Sequence, residues 1–150
     1  QSLLYVKKDD KTPTLADQIR DLIHEYQGDR KLYLTGHGVG GALANGMAAD
    51  IKFNSGSRSP APAKIDAIYT IGSTYLASDH LAEQFVKAYK AVSYQIVRPS
   101  DGVATALRPL PYFNPVGNPV ALLGNQATTE DTDHSLSEYL ALLDPHRKQP

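Results

Sequence analysis

Apolar and polar positions along this chain switch between two periods, and the switches mark its elements. From Thr14 to Tyr26 the apolar residues Leu15, Ile19, Leu22, Ile23 and Tyr26 recur at helical spacing, which predicts an amphipathic helix with all five on one face. Thr14 with Asp17 forms a capping box with Asp in place of Glu, and Gly28 suits the C-terminal cap. Lys31 to Thr35 reads as a short buried strand, and Gly40 to Phe53 as the helix leaving the glycine turn between them. The segment "NSGSRSPAPAK" (54–64) is a surface loop by its Ser, Gly and Pro content. "IDAIYTIG" (65–72) is almost continuously apolar, as expected of a parallel strand covered on both faces.

A helix over Leu81 to Lys90, capped by Asp79, leads to a third strand, "VSYQIV" (92–97). Prolines at 99, 109, 111, 115 and 119 then argue against regular structure over residues 99–119. "PVALLG" is the last strand, followed by a polar loop, "NQATTEDTD". A final helix runs from about Leu136 to Leu143, with Ser135 and Glu138 as its capping box. No internal repeat is visible. Strands alternating with helices predict an α/β domain with a mostly parallel sheet.

Composition narrows the function. The 150 residues make one domain able to bury a real core, with 41% hydrophobic and 21% charged residues. The net charge is −1 and Lys and Arg are scattered, which argues against a nucleic-acid groove or a polybasic membrane patch. Without cysteine there is no disulfide framework and no thiolate metal site, and no cofactor is implied. No apolar run approaches the roughly 18 residues of a membrane span, and no targeting signal is visible, so a soluble chain is expected and its compartment stays open. Gln1 opens the chain in place of a methionine, which reads as a natural processing boundary or a deliberate truncation, with room for upstream chain.

The chemistry concentrates in the turn Gly36-His37-Gly38-Val39-Gly40-Gly41. As G-x-G-x-x-G it is a dinucleotide fingerprint, but that reading needs an acid at the tip of the next strand, which instead ends "YTIGS". A P-loop needs Lys where Ala42 follows Gly41. As G-x-S-x-G with the serine missing, it is a nucleophile elbow, a sharp strand-to-helix turn with small flanking residues, here Gly36 and Gly40. Gly38 then holds the nucleophile position, and the N–H of Val39 would point into an oxyanion hole at a helix N-terminus. An acid and a base should follow in that order. Asp101 follows the third strand and His134 precedes the last helix.

These residues resemble a known family. "LYLTGHGVGGALA" is similar to the signature of the class 3 (fungal-type) lipases, usually TGHSLGGALA. "IYTIGSTYLASDHLAEQF", "YQIVRPSDGVATALRPLPYF" and "DHSLSEYLALLD" resemble that family's strand-turn-helix, its aspartate segment and its C-terminal histidine with a Tyr-Leu helix. The resemblance runs over about residues 14 to 145 and implies an α/β-hydrolase-like fold with helices on both faces of the sheet. It also implies hydrolysis of lipid or other carboxylic esters, with serine in place of Gly38 as nucleophile, His134 as base and Asp101 as acid. His37 beside the nucleophile position is usual in the family and is expected to pack or hydrogen-bond.

The departures matter too. Gly38 carries no oxygen, Thr74-Tyr75-Leu76-Ala77 replaces the family's Pro-Arg-Val-Gly, and the family's upstream oxyanion strand and lid are not in these residues. The chain therefore reads as the C-terminal part of the fold, impaired or inactive, either a natural pseudoenzyme or a deliberately silenced enzyme. A lipid- or protein-binding module that reuses the cleft is the alternative. An open sheet edge is expected, covered by a partner chain, a second copy or upstream sequence.

Each candidate has a plainer reading. Gly38 can be a turn glycine chosen for positive φ. "PSDG" is an ordinary turn sequence around Asp101. His134 can be a solvated residue before a helix cap. The run Glu130, Asp131, Asp133 lacks a second histidine at ligand spacing and reads as a solvated acidic face, not a metal site. Ser73 and Ser100 sit on no elbow, and His24, His80 and His146 have no visible role.

Overall fold

Four short strands, β1 (Tyr33–His37), β2 (Ala67–Ile71), β3 (Ser93–Val97) and β4 (Asn118–Ala121), lie side by side in chain order, all parallel. The computed structural model of the chain describes residues 3–7, 9–54, 63–74, 77–106, 114–124 and 133–144. Parallel neighbours need crossovers. Here β1 leads through helix α2 (Val39–Phe53) into β2, and β2 through α3 (Asp79–Tyr89) into β3. Successive crossovers of the same right hand place α2 and α3 on one face of the sheet.

The core forms on that face. Met47, Ala48 and Ile51 of α2 meet Phe85 and Tyr89 of α3, Leu4 and Ile68, with Leu34 packed against them. Helix α1 (Leu15–Tyr26) adds Ala16, Ile19 and Ile23. Burial of this apolar surface is the main source of stability.

Alternation along the strands sends Tyr33, Thr35 and His37, with Tyr69 and Tyr94, to the opposite face. The Tyr69 and Tyr94 rings stack there, 5.5 Å apart. At the carboxyl ends of the strands, helix α5 (Leu136–Leu143) reaches this side through Tyr139, whose ring is 6.1 Å from that of His37. The sheet thus has helices on both faces, as expected. Among the described residues, no helix is long and apolar enough to cross a membrane.

Several expectations change in detail. Strand β1 extends to His37, because its ladder with β2 continues through His37 opposite Ile71. Helix α1 keeps its capping box, and Gly28 follows it at φ 47°, but only part of the expected stripe is inward. Leu15, Leu22 and Tyr26 are exposed. The helix is instead turned so that Arg20 reaches the buried carboxylate of Asp50 on α2.

β2 is not covered on both faces, since Tyr69 is 41% exposed. Helix α3 starts at Asp79 with Ser78 as N-cap, and the Asp79 carboxylate accepts from the Asn114 amide. The proline-rich stretch does hold regular structure. Helix α4 (Gly102–Thr105) occupies the gap between Pro99 and Pro109, capped by Asp101, and β4 opens at Asn118. Ser135 caps α5 at the N–H of Glu138, yet the Glu138 carboxylate turns to Arg98 at 3.6 Å instead of completing a box. Most of the loops expected over 54–64 and 125–133 lie outside the described residues.

Candidate active site at the glycine turn

The turn from β1 into α2 is held by backbone contacts that only glycine permits. A Cβ on Gly36 would lie 2.3 Å from the carbonyl carbon of Gly40, and one on Gly41 would lie 2.8 Å from the Cβ of Ser73. A Cβ on Gly40 would meet nothing within 4 Å. The need for small residues therefore falls on Gly36 and Gly41, not on Gly40 as the motif suggested. The crowding is between the strand and the backbone of Gly40, not around its side-chain position.

Gly38 sits at φ 55°, ψ −122°, a region that costs a side-chain-bearing residue about 1–3 kcal/mol. Its N–H donates to the Ile71 carbonyl at 2.9 Å, and its carbonyl accepts from Gly41 and Ala42. Val39 is the first residue of α2, where a helix leaves its amides without intrahelical acceptors. Its side chain is 60% exposed.

Asp101 and His134, 33 residues apart, come together beside this turn. The imidazole Nδ1–H donates to Asp101 Oδ2 at 2.9 Å and Oδ1 at 3.1 Å. Because a carboxylate only accepts, Nδ1 carries the proton and the Nε2 lone pair points away from the pair. A Cβ on Gly38 would stand 3.0 Å from that Nε2. Geometrically, Gly38, His134 and Asp101 form a line in which Nε2 can accept a proton and the carboxylate can stabilise the resulting cation. The line has no oxygen at its Gly38 end.

Asp101 is fully buried and does two jobs. Its Oδ1 accepts from the Ala104 N–H as the N-cap of α4, so the turn reading of "PSDG" also holds. Its Oδ2 accepts from the Tyr139 hydroxyl at 2.7 Å. That hydroxyl in turn accepts from the Arg98 N–H at 3.0 Å. Burial, with the Asp101 hydrogen bond and charge, holds the Tyr139 pKa far above its ordinary value, so it remains a donor.

His37 donates from Nε2 to the His134 carbonyl at 2.7 Å, with the two rings 4.6 Å apart. It fixes the backbone of His134.

Three contributors were not visible in the sequence. Tyr139 lies in the Tyr-Leu helix of the family resemblance, which gives it no role at the acid. Gly72, at φ 53°, leaves room for the acid, since a Cβ there would lie 2.9 Å from Asp101 Oδ2. The third is Asp133, which the acidic run suggested was solvated. It is 4% exposed and pairs with the buried Arg98, the residue after β3, at 2.9 Å. Glu130, Asp131 and His146 lie outside the described residues. Ser73 is buried and donates to the Thr74 carbonyl, and His80 pairs with Gln84 on the surface.

Comparison with known proteins places this geometry in context. The family described as Lipase (class 3) matches residues 12–109. No curated protein matches the chain. Among solved structures, the lipase of Rhizopus microsporus var. chinensis is similar at 24% identity and TM-score 0.53, over 73% of this chain and 37% of that one. Lip2 lipase of Yarrowia lipolytica gives 17% identity and 0.50, over 71% and 37%. M37 lipase gives 15% and 0.60, over 94% and 54%. At these identities the likeness establishes the fold, an α/β-hydrolase-like arrangement. The chain spans only 37% to 54% of the length of these lipases.

Proposed function

The chain belongs to the class 3 lipase family, and from that premise we propose that residues 1–150 are a lipase-like serine-hydrolase domain, the C-terminal portion of the fold, whose nucleophile position is held by Gly38. Asp101 is the acid, His134 the base, and the Val39 amide an oxyanion donor. The ligand is a lipid or other carboxylic ester, and no cofactor or metal takes part. One observation carries the reading: His134 bonds Asp101 through Nδ1 while its Nε2 lies 3.0 Å from where a side chain on Gly38 would begin.

Glycine supplies no nucleophilic oxygen, so no acyl-enzyme forms and serine-type turnover is absent or strongly impaired. The chain is then a natural pseudoenzyme or a silenced enzyme. The outer strand β1 turns one row of backbone groups away from β2, and a partner chain, a second copy or upstream sequence is proposed to cover it. A second reading, a non-catalytic lipid- or protein-binding module, is favoured by Gly38 itself, which relieves the strain of the turn at the expense of chemistry.

Hydrolysis of a short-chain p-nitrophenyl ester by the chain and by Gly38→Ser, side by side, tests the proposal. Turnover restored by serine and removed again by His134→Ala supports the hydrolase reading. A folded Gly38→Ser without turnover overturns it in favour of the binding module.

A further inference from the structure

The point where a side chain on Gly38 would begin is unusual. Outside the turn's own neighbours, the only described atoms within 4 Å of it are His134 Nε2 at 3.0 Å and Cε1 at 3.4 Å. A water oxygen cannot take that point itself, one bond length from the Gly38 Cα, but farther out from the Cα it can stand within about 3 Å of Nε2, a hydrogen-bond distance. The contact is tight for a carbon, so the imidazole leans into the space that a nucleophilic side chain would claim. Its Nδ1–H is committed to the fully buried Asp101 carboxylate, which leaves Nε2 facing this point as an acceptor. The first amides of α2 are adjacent.

We propose that this site activates water directly: the Asp101–His134 pair acts as general base for hydrolysis of activated carboxylic esters without a covalent intermediate. The proposal rests on the reading of the cleft as an ester site and deepens it. A water oxygen beside Gly38, in hydrogen-bond reach of His134 Nε2, gives one proton to that nitrogen as it attacks the ester carbonyl carbon. A carbon–oxygen bond forms, and the carbonyl electron pair moves onto the oxygen beside the Val39 N–H. The tetrahedral species then collapses, the bond to the alcohol oxygen breaks, and the departing alkoxide takes the proton back from Nε2. The products are a carboxylic acid and an alcohol. No atom of Gly38 takes part.

The glycine thus changes the mechanism from two displacements to one. General-base assistance is worth about 10²–10⁴-fold, well below what a covalent nucleophile with its base achieves, so the activity is slow and favours esters with good leaving groups.

The test uses the full chain with p-nitrophenyl acetate. The expected result is steady hydrolysis without a burst, no acyl adduct on the intact protein by mass spectrometry, and no inhibition by a fluorophosphonate that traps reactive serines. His134→Ala should slow this by about 10²-fold, and added imidazole should restore part of it. Circular dichroism confirms that the variant is folded, and imidazole rescue reads the site when it exceeds the rate of imidazole with p-nitrophenyl acetate in the absence of protein. Equal rates for the chain and His134→Ala overturn the proposal, as does abolition by the fluorophosphonate. The Gly38→Ser variant separates the two readings. If it turns over with a burst while the chain does not exceed His134→Ala, the water mechanism fails and the serine-hydrolase reading stands. If neither exceeds His134→Ala, both fail.

Discussion

Arg98 and Asp133 form a buried ion pair, 2.9 Å between guanidinium and carboxylate, that ties the end of β3 to the residue preceding His134. Arg98 lies three residues before Asp101, so the pair fastens together the two loops whose side chains meet in the Asp101–His134 hydrogen bond. The ion pair, the His37 bond to the His134 carbonyl and the Tyr139 bond to Asp101 hold Asp133, His134 and Asp101 in place against one another.

Removing one member of a buried pair leaves the other charge desolvated, at a cost of about 3–5 kcal/mol. Asp133→Asn should fall near the low end, since Glu138 stays 3.6 Å from Arg98. Urea denaturation checks this. The double variant Arg98→Met/Asp133→Leu should recover much of the loss. A single variant as stable as the parent would show that the pair is not a fastening at all.

Gly36→Ala and Gly40→Ala should differ sharply although the motif treats them alike. A Cβ on Gly36 meets backbone at 2.3 Å, which cannot yield without separating α2 from β1, so this variant is expected to be unfolded or insoluble. Gly40 lies in α2 with open space around its Cβ position, and alanine there should gain up to about 1 kcal/mol of helix stability. Comparing soluble yield and thermal midpoint of the two decides the point.

Gly38→Ser should fold but lose about 1–3 kcal/mol, from placing a side chain at φ 55°. The His134 ring must also withdraw by a few tenths of an ångström from the new Cβ. A thermal midpoint equal to that of the parent would mean that the turn relaxes out of this conformation.

Stability should fall at high pH. The Tyr89 hydroxyl, donating to the Ala48 carbonyl at 2.9 Å, is pushed up to about 12 by burial, and burial with the Asp50 hydrogen bond does the same for Tyr5. In the unfolded chain tyrosine ionises near about 10. The folded state therefore holds these protons more tightly, and its advantage is complete below about pH 10 and lost as pH rises towards about 12. Tyr89→Phe should show a shallower decline of the urea midpoint over that window, and an unchanged slope would contradict the burial argument.

The alternation of strands and helices, the parallel sheet and the glycine turn are all legible in short windows of the chain. These follow from short-range physics: apolar periods of two and 3.6 residues, capping residues such as Thr14 and Ser135, and glycines where the chain must turn tightly. The sequence also set the order in which Gly38, Asp101 and His134 occur. Tertiary structure decided how they are held. Arg98 with Asp133, Tyr139 with Asp101, and Gly72 beneath the Asp101 carboxylate are all contacts across 29 or more residues, and nothing in a local window marks them. The same limit explains helix α1. Its apolar pattern put Leu15, Ile19, Leu22, Ile23 and Tyr26 on one face, and of these only Ile19 and Ile23 pack inward, beside Ala16, while Arg20 meets Asp50, 30 residues on. A period shows that a helix has a buried side, but the partner it packs against decides which side that is.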